Sequence, residues 1–113
     1  AAQKILSENS DIVAIMCGND QMAVAAKTAL NLAGNDQTVV YSIDGSPDIK
    51  KELKKADGQI AGTVAQSPVN IGKKAVDIAL DILEGKDFEK ETSVDVFMIN
   101  KENVEMYGAD GWQ

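Results

Sequence analysis

The chain has 113 residues, 44% of them hydrophobic, which is enough to bury a core and places it among globular rather than disordered sequences. Eleven basic against 18 acidic residues give a net charge of -7; this repels phosphate backbones and acidic lipid surfaces, so no nucleic-acid partner is expected. With no histidine and a single cysteine, Cys17, the chain lacks the usual general base, the Ser-His and Cys-His nucleophile pairs, an internal disulfide and a cysteine-based zinc site. Catalysis is less expected without them, and no catalytic residue, metal or cofactor is assigned.

Ala1 to Ser10 reads as the last turns of a helix with no capping residue ahead of it, so a piece of a longer protein is expected. No basic region followed by a long apolar run opens the chain, and no stretch reaches the roughly eighteen apolar residues of a membrane span. Ile12 to Cys17 is a continuous apolar run that predicts a strand buried on both faces, ending in Gly18-Asn19-Asp20. From Asp20, an alanine-rich apolar stripe of helical period runs to Gly34 as a C-terminal stop. Val39 to Ile43 predicts the second strand. It drops into Asp44-Gly45, followed by a helix with Ser46 as cap and Pro47 at its first position. The lysines at 50, 51, 54 and 55 read as a solvated face of that helix.

Gln59 to Ala65 predicts a third strand ending in Gln66. Ser67-Pro68 repeats the cap-then-proline signal and opens a long amphipathic helix through Ile71, Ala75, Ile78, Ile82 and Leu83 to Gly85. A polar stretch, a fourth strand over Val94 to Ile99 and a polar tail with at most a short helical turn complete the chain. Strands alternating with helices predict an α/β fold, an open sheet with all strands parallel and helices on both faces.

In such a sheet the strands point their carboxyl ends to one rim, the place where ligands bind. Three successive ends carry Asn19-Asp20, Asp44 and Gln66, each directly before a helix. Asn and Asp are good helix caps, which gives Asn19, Asp20 and Asp44 an ordinary explanation. Gln66 is a poor cap with a good one, Ser67, beside it. Two amides and a carboxylate form a mixed donor and acceptor set with no cation for a phosphate and no apolar lining for a lipid, which suits a neutral polyhydroxylated molecule.

The stretches I-M-C-G-N-D-Q-M-A-V-A-A-K-T-A-L, V-V-Y-S-I-D-G-S-P-D and I-A-G-T-V-A-Q-S-P-V-N-I-G-K-K-A-V-D-I-A-L resemble the C-terminal half of periplasmic sugar-binding proteins of ribose-binding type. V-D-V-F-M-I-N-K-E-N-V resembles their last strand and the segment after it, and the likeness runs from about Ala1 to Val104. It implies one lobe of a type I periplasmic-binding fold, with Asn19, Asp44 and Gln66 holding the hydroxyls of a monosaccharide, pentose or hexose. It also implies an extracytoplasmic location, in the periplasm or on the outer face of the membrane as a lipoprotein, and the membrane permease of an ABC importer as partner.

Residues 1–113 would be a C-terminal lobe fragment, with 67–91 packing on an N-terminal lobe that is missing here together with its aromatic rings. Alone, the chain is expected to bind sugar weakly or not at all. Its long apolar helix would then drive self-association or take a rearranged position. Two other readings compete. The effector lobe of a LacI-type transcription regulator shares this fold, but those regulators tend to end in an arginine-serine-threonine pattern where this chain has I-N-K-E-N-V. A small α/β enzyme would use Asp20 and Asp44 as acid and base. Trp112, in the closing Gly-Ala-Asp-Gly-Trp-Gln, has no assigned role.

Overall fold

A computed structural model describes all 113 residues. Helix α1 (Ala2–Glu8) leads into strand β1 (Ala14–Met16), followed by α2 (Asp20–Leu32), β2 (Val39–Asp44), α3 (Pro47–Leu53), β3 (Ile60–Ala65), α4 (Pro68–Leu83) and β4 (Phe97–Asn100). A 3-10 turn over Val104–Tyr107 follows the last strand. The four strands form one open sheet in the order β1-β2-β3-β4. No helix is long and apolar enough to cross a membrane.

Local chemistry accounts for the helix ends. Asn19 caps α2 by accepting from Met22 N at 2.8 Å, and Ser46 caps α3 by accepting from Ile49 N at 3.4 Å. At the far end of α2, Gly34 takes φ +65°, which lets Asn35 N reach back to Leu30 O at 3.0 Å and close the helix. Pro47 and Pro68 occupy the first turns of their helices, where no backbone N–H is missed. Ser67 departs from the expected cap: it sits at φ +50°, ψ +62° and makes no side-chain capping bond, so Pro68 alone marks that helix start.

The core lies between one face of the sheet and a single layer made by α1, α2 and α3. Ala23, Ala26 and Leu30 of α2 and Ile49 and Leu53 of α3 close on Val40, Ile60, Ala65 and Ile99 of the strands. The small alanines let α2 lie close to the sheet, and the large aliphatics fill the remaining space. Leu30, Ile49, Ile60 and Ile99 are fully buried, each contributing about 1.5–3 kcal/mol by leaving water. Truncating Leu30 to alanine would remove that term and open a cavity, costing about 2–5 kcal/mol.

The open α/β sheet appears as expected, but two of its details differ from the sequence reading. β1, β2 and β3 are parallel, whereas β4 runs antiparallel to β3, with Thr63 opposite Ile99 and Ala65 opposite Phe97. The reason is where the chain returns. It leaves β3 at the carboxyl end through α4, comes back through residues 84–96 to that same end, and enters β4 at Phe97 beside Ala65. Helices also cover one face only. On the other, Met16 is 78% exposed, and Val39, Ile43 and Met98 are exposed as well. Ile12 to Cys17 is accordingly not a strand buried on both faces: only three residues of it are regular strand, and alternate side chains point to the open face. Helix α4 has no buried residue at all.

Candidate functional site

Asp20 is the residue on which the rim is built. It is 1% exposed, and its carboxylate accepts three hydrogen bonds from two neighbouring strands and a turn. Oδ1 receives Ser42 Oγ at 2.6 Å and Thr63 Oγ1 at 2.7 Å; Oδ2 receives the backbone N–H of Ser46 at 2.6 Å. Thr63 Oγ1 in turn accepts from Gly45 N at 3.2 Å. A buried carboxylate is costly unless its lone pairs are filled, and here they are filled by groups that also position the turn after Asp44. Asp20 therefore joins β2, β3 and the start of α3 from the inside. It faces the core and is not placed to serve as an acid or base at the rim.

The turn at Asp44-Gly45 follows from that clamp. Gly45 has φ +76°, and a Cβ there would lie 2.6 Å from Ala65 Cβ, so only glycine fits the close approach of the two strands. Asp44 has φ +130°, and Asp44 and Ser67 are the two non-glycine residues with positive φ. Such backbone costs on the order of 1–3 kcal/mol per residue and clusters at functional sites. Asp44 does not cap α3, since Ser46 does. Half-buried, its side chain accepts instead from exposed Gln66: Nε2 donates to Asp44 Oδ1 at 2.9 Å. One strained residue, Asp44, thus carries the carboxylate, and the other, Ser67, directly follows the amide of Gln66.

Asp44 and Gln66 line an open cleft of about 540 Å³, together with Pro68, Val69, Ile71 and Trp112. Asn19 stands at the adjacent strand end but does not line this cleft. Its Oδ1 is engaged as the α2 cap, which leaves the amide N–H groups as its outward donors. Asp44 and Gln66 are therefore brought together, with Asn19 beside them at the end of β1. No group of three or more histidine, cysteine, aspartate or glutamate side chains lies close enough to hold a metal ion.

Two features escaped the sequence reading. Lys50 is not on a solvated face: it is fully buried. Its ammonium donates to Gly111 O, and to Gln113 Oε1 at 2.8 Å. Burial pushes its pKa down, partly opposed by the charge of Asp110. Trp112 lies between those two anchors and reaches the cleft. The helical pattern around Lys50 is polar on that side, and nothing local announces a partner 61 residues later. On the same helix, Glu52 binds Lys27 Nζ at 2.6 Å and Lys55 Nζ at 2.7 Å, tying α3 to α2. Cys17 is half-buried against the core, and burial raises its pKa, as befits a small core residue.

The strand-end rim thus presents a paired carboxylate and amide on an open α/β sheet. The chain belongs to the periplasmic binding protein family: the model of the periplasmic binding protein domain matches residues 1–87. It is 37% identical over 100 residues to the ribose import binding protein of Salmonella typhimurium, covering 88% of this chain and 33% of that protein. It is 40% identical over 91 residues to the ribose import binding protein of Bacillus subtilis, covering 80% of this chain and 29% of that one. The chain thus spans about a third of the length of these relatives. Among solved structures, it superposes on an ABC transporter periplasmic solute-binding protein from Actinobacillus succinogenes with bound D-allose. The TM-score is 0.87 at 29% identity, over 94% of this chain and 37% of that one.

Proposed function

We propose that this chain is the C-terminal lobe of a solute-binding protein that captures a monosaccharide, pentose or hexose, for import by an ABC transporter. The observation that carries the reading is the pairing of Gln66 Nε2 with Asp44 Oδ1 at two strained strand ends facing one cleft. A carboxylate that accepts from two hydroxyls, with amides that each give one bond and receive one, matches the diol edge of a sugar. In the free lobe the Gln66–Asp44 bond occupies groups that a ligand would take over. Asn19 contributes its amide donors from the neighbouring strand end. The relatives are binding proteins by name, in keeping with capture rather than turnover.

In the intact protein, residues 67–91 pack on an N-terminal lobe, and the sugar is enclosed between the two. Support comes from α4, where Ile71, Ile82 and Leu83 of the apolar stripe are all exposed, Leu83 at 82%. The working location is extracytoplasmic, in the periplasm or at the outer face of the membrane as a lipoprotein, and the partner is the membrane permease of the importer. A thermal-shift screen of the intact protein against a monosaccharide panel tests this reading, because a ligand that binds only the folded state raises Tm. A raised Tm with at least one pentose or hexose is expected; no shift with any sugar at millimolar concentration would overturn it.

A further inference from the structure

We propose that Trp112, delivered by the C-terminal tail, is a sugar-contacting wall of the cleft at Asp44 and Gln66; this rests on the capture reading above. Trp112 is 47% exposed and lines the same cleft of about 540 Å³ as the carboxylate and amide. That volume is within the roughly 300–1,000 Å³ typical of small-ligand sites. Asp44 and Gln66 can take hydroxyls only at the edge of a sugar ring. The faces of that ring carry C–H groups, and these require an apolar surface. An indole face, with the negative side of its quadrupole turned toward positive C–H edges, supplies one.

The tail is held for this purpose at points that leave the indole uninvolved. Lys50, fully buried, donates to Gly111 O and to Gln113 Oε1, on either side of Trp112. Burying an ammonium is costly unless it is hydrogen-bonded, so its bonds to the tail specify where the tail runs. Gln113 Nε2 donates to Tyr107 O at 2.8 Å, and the Tyr107 ring stacks on Phe97 of β4 with centroids 5.0 Å apart. The path from β4 to Trp112 is thus pinned at both ends. The ring is presented at the cleft by backbone and neighbours and is not itself packed away.

The test uses the intact protein and the sugar that gives the largest thermal shift. Calorimetric titration of Trp112→Ala should show affinity about five- to tenfold weaker than wild type. Trp112→Phe, which keeps an aromatic face, should recover most of that loss. Lys50→Met, which frees the tail while preserving side-chain volume, should weaken binding in the same direction, with the protein still folded by circular dichroism. Unchanged affinity in Trp112→Ala, or a loss that Trp112→Phe does not restore, overturns the assignment. A wild-type protein that binds no sugar in the panel overturns the capture reading and this assignment with it, and that result is distinct from a variant that binds as wild type does.

Discussion

Gln66 Nε2 donates to Asp44 Oδ1 across 2.9 Å, bridging the ends of two adjacent parallel strands. Each residue is set there by backbone rather than by its own side chain. Asp44 sits in a strained conformation before a glycine that cannot be replaced, and Gln66 precedes a left-handed serine. Below them, Asp20 holds both strands and the turn together from the core side.

That arrangement makes Asp20 a residue of stability rather than ligand contact. Replacing it with alanine leaves the Ser42 and Thr63 hydroxyls and the Ser46 N–H without an acceptor in a buried place. We expect a loss of about 3 kcal/mol or more by urea unfolding. Asn at this position should also destabilise, because its amide N–H2 would face a donor in place of one carboxylate oxygen. Wild-type stability in Asp20→Ala would show that the three bonds contribute nothing net.

The Glu52 cluster predicts a pH dependence. Burial opposes ionisation of Glu52, but hydrogen bonds and charge from Lys27 and Lys55 outweigh it and hold the carboxyl below its ordinary value of 4.5. The unfolded chain therefore takes up this proton first as pH falls. The stabilisation is whole above the unfolded value and is lost as pH drops through the folded one. Glu52→Gln should cost about 1 kcal/mol at neutral pH. The gap from wild type, followed by denaturant titration, should shrink below pH 4.5. A gap that stays constant down to pH 3 on that titration would exclude the ion pairs as its source.

Much of the rim was legible because local rules converge on it. Ser46 and Pro47 mark the start of α3 and Pro68 that of α4, so Asp44 and Gln66 had to stand at strand ends. Asp20 was not legible as a clamp, since its adjacency to Asn19 makes either residue a plausible cap. Only the register that brings Ser42 and Thr63 together beneath the rim turns Asp20 inward. The direction of β4 was hidden for a different reason: the polar stretch before it carries no signal of which end of β3 it returns to. Lys50 shows the limit of helical patterning, because its burial depends on a tail far along the chain.

Helix α4 predicts the behaviour of the isolated 113 residues. Its apolar stripe is exposed along its length, and a patch of this kind drives association in water. Sedimentation of the isolated chain should show concentration-dependent oligomers, and Ile82→Glu, at a half-exposed position of that stripe, should shift it toward monomer. The isolated chain should bind sugar far more weakly than the intact protein. A clean monomer at high concentration with α4 still exposed would contradict this account of the stripe.

Asp44 and Gln66 are the residues proposed to hold the sugar hydroxyls. Calorimetric titration of the intact protein and its Asp44→Ala variant with the sugar of highest affinity tests this most directly. Hydrogen bonds to a charged group contribute roughly 1.5–3 kcal/mol each, so two of them lost at once should weaken binding by about a hundredfold or more. Gln66→Ala should lose less, because its amide is neutral. Affinity unchanged in Asp44→Ala, in a protein that folds as wild type does, would contradict the assignment of this rim as the sugar site.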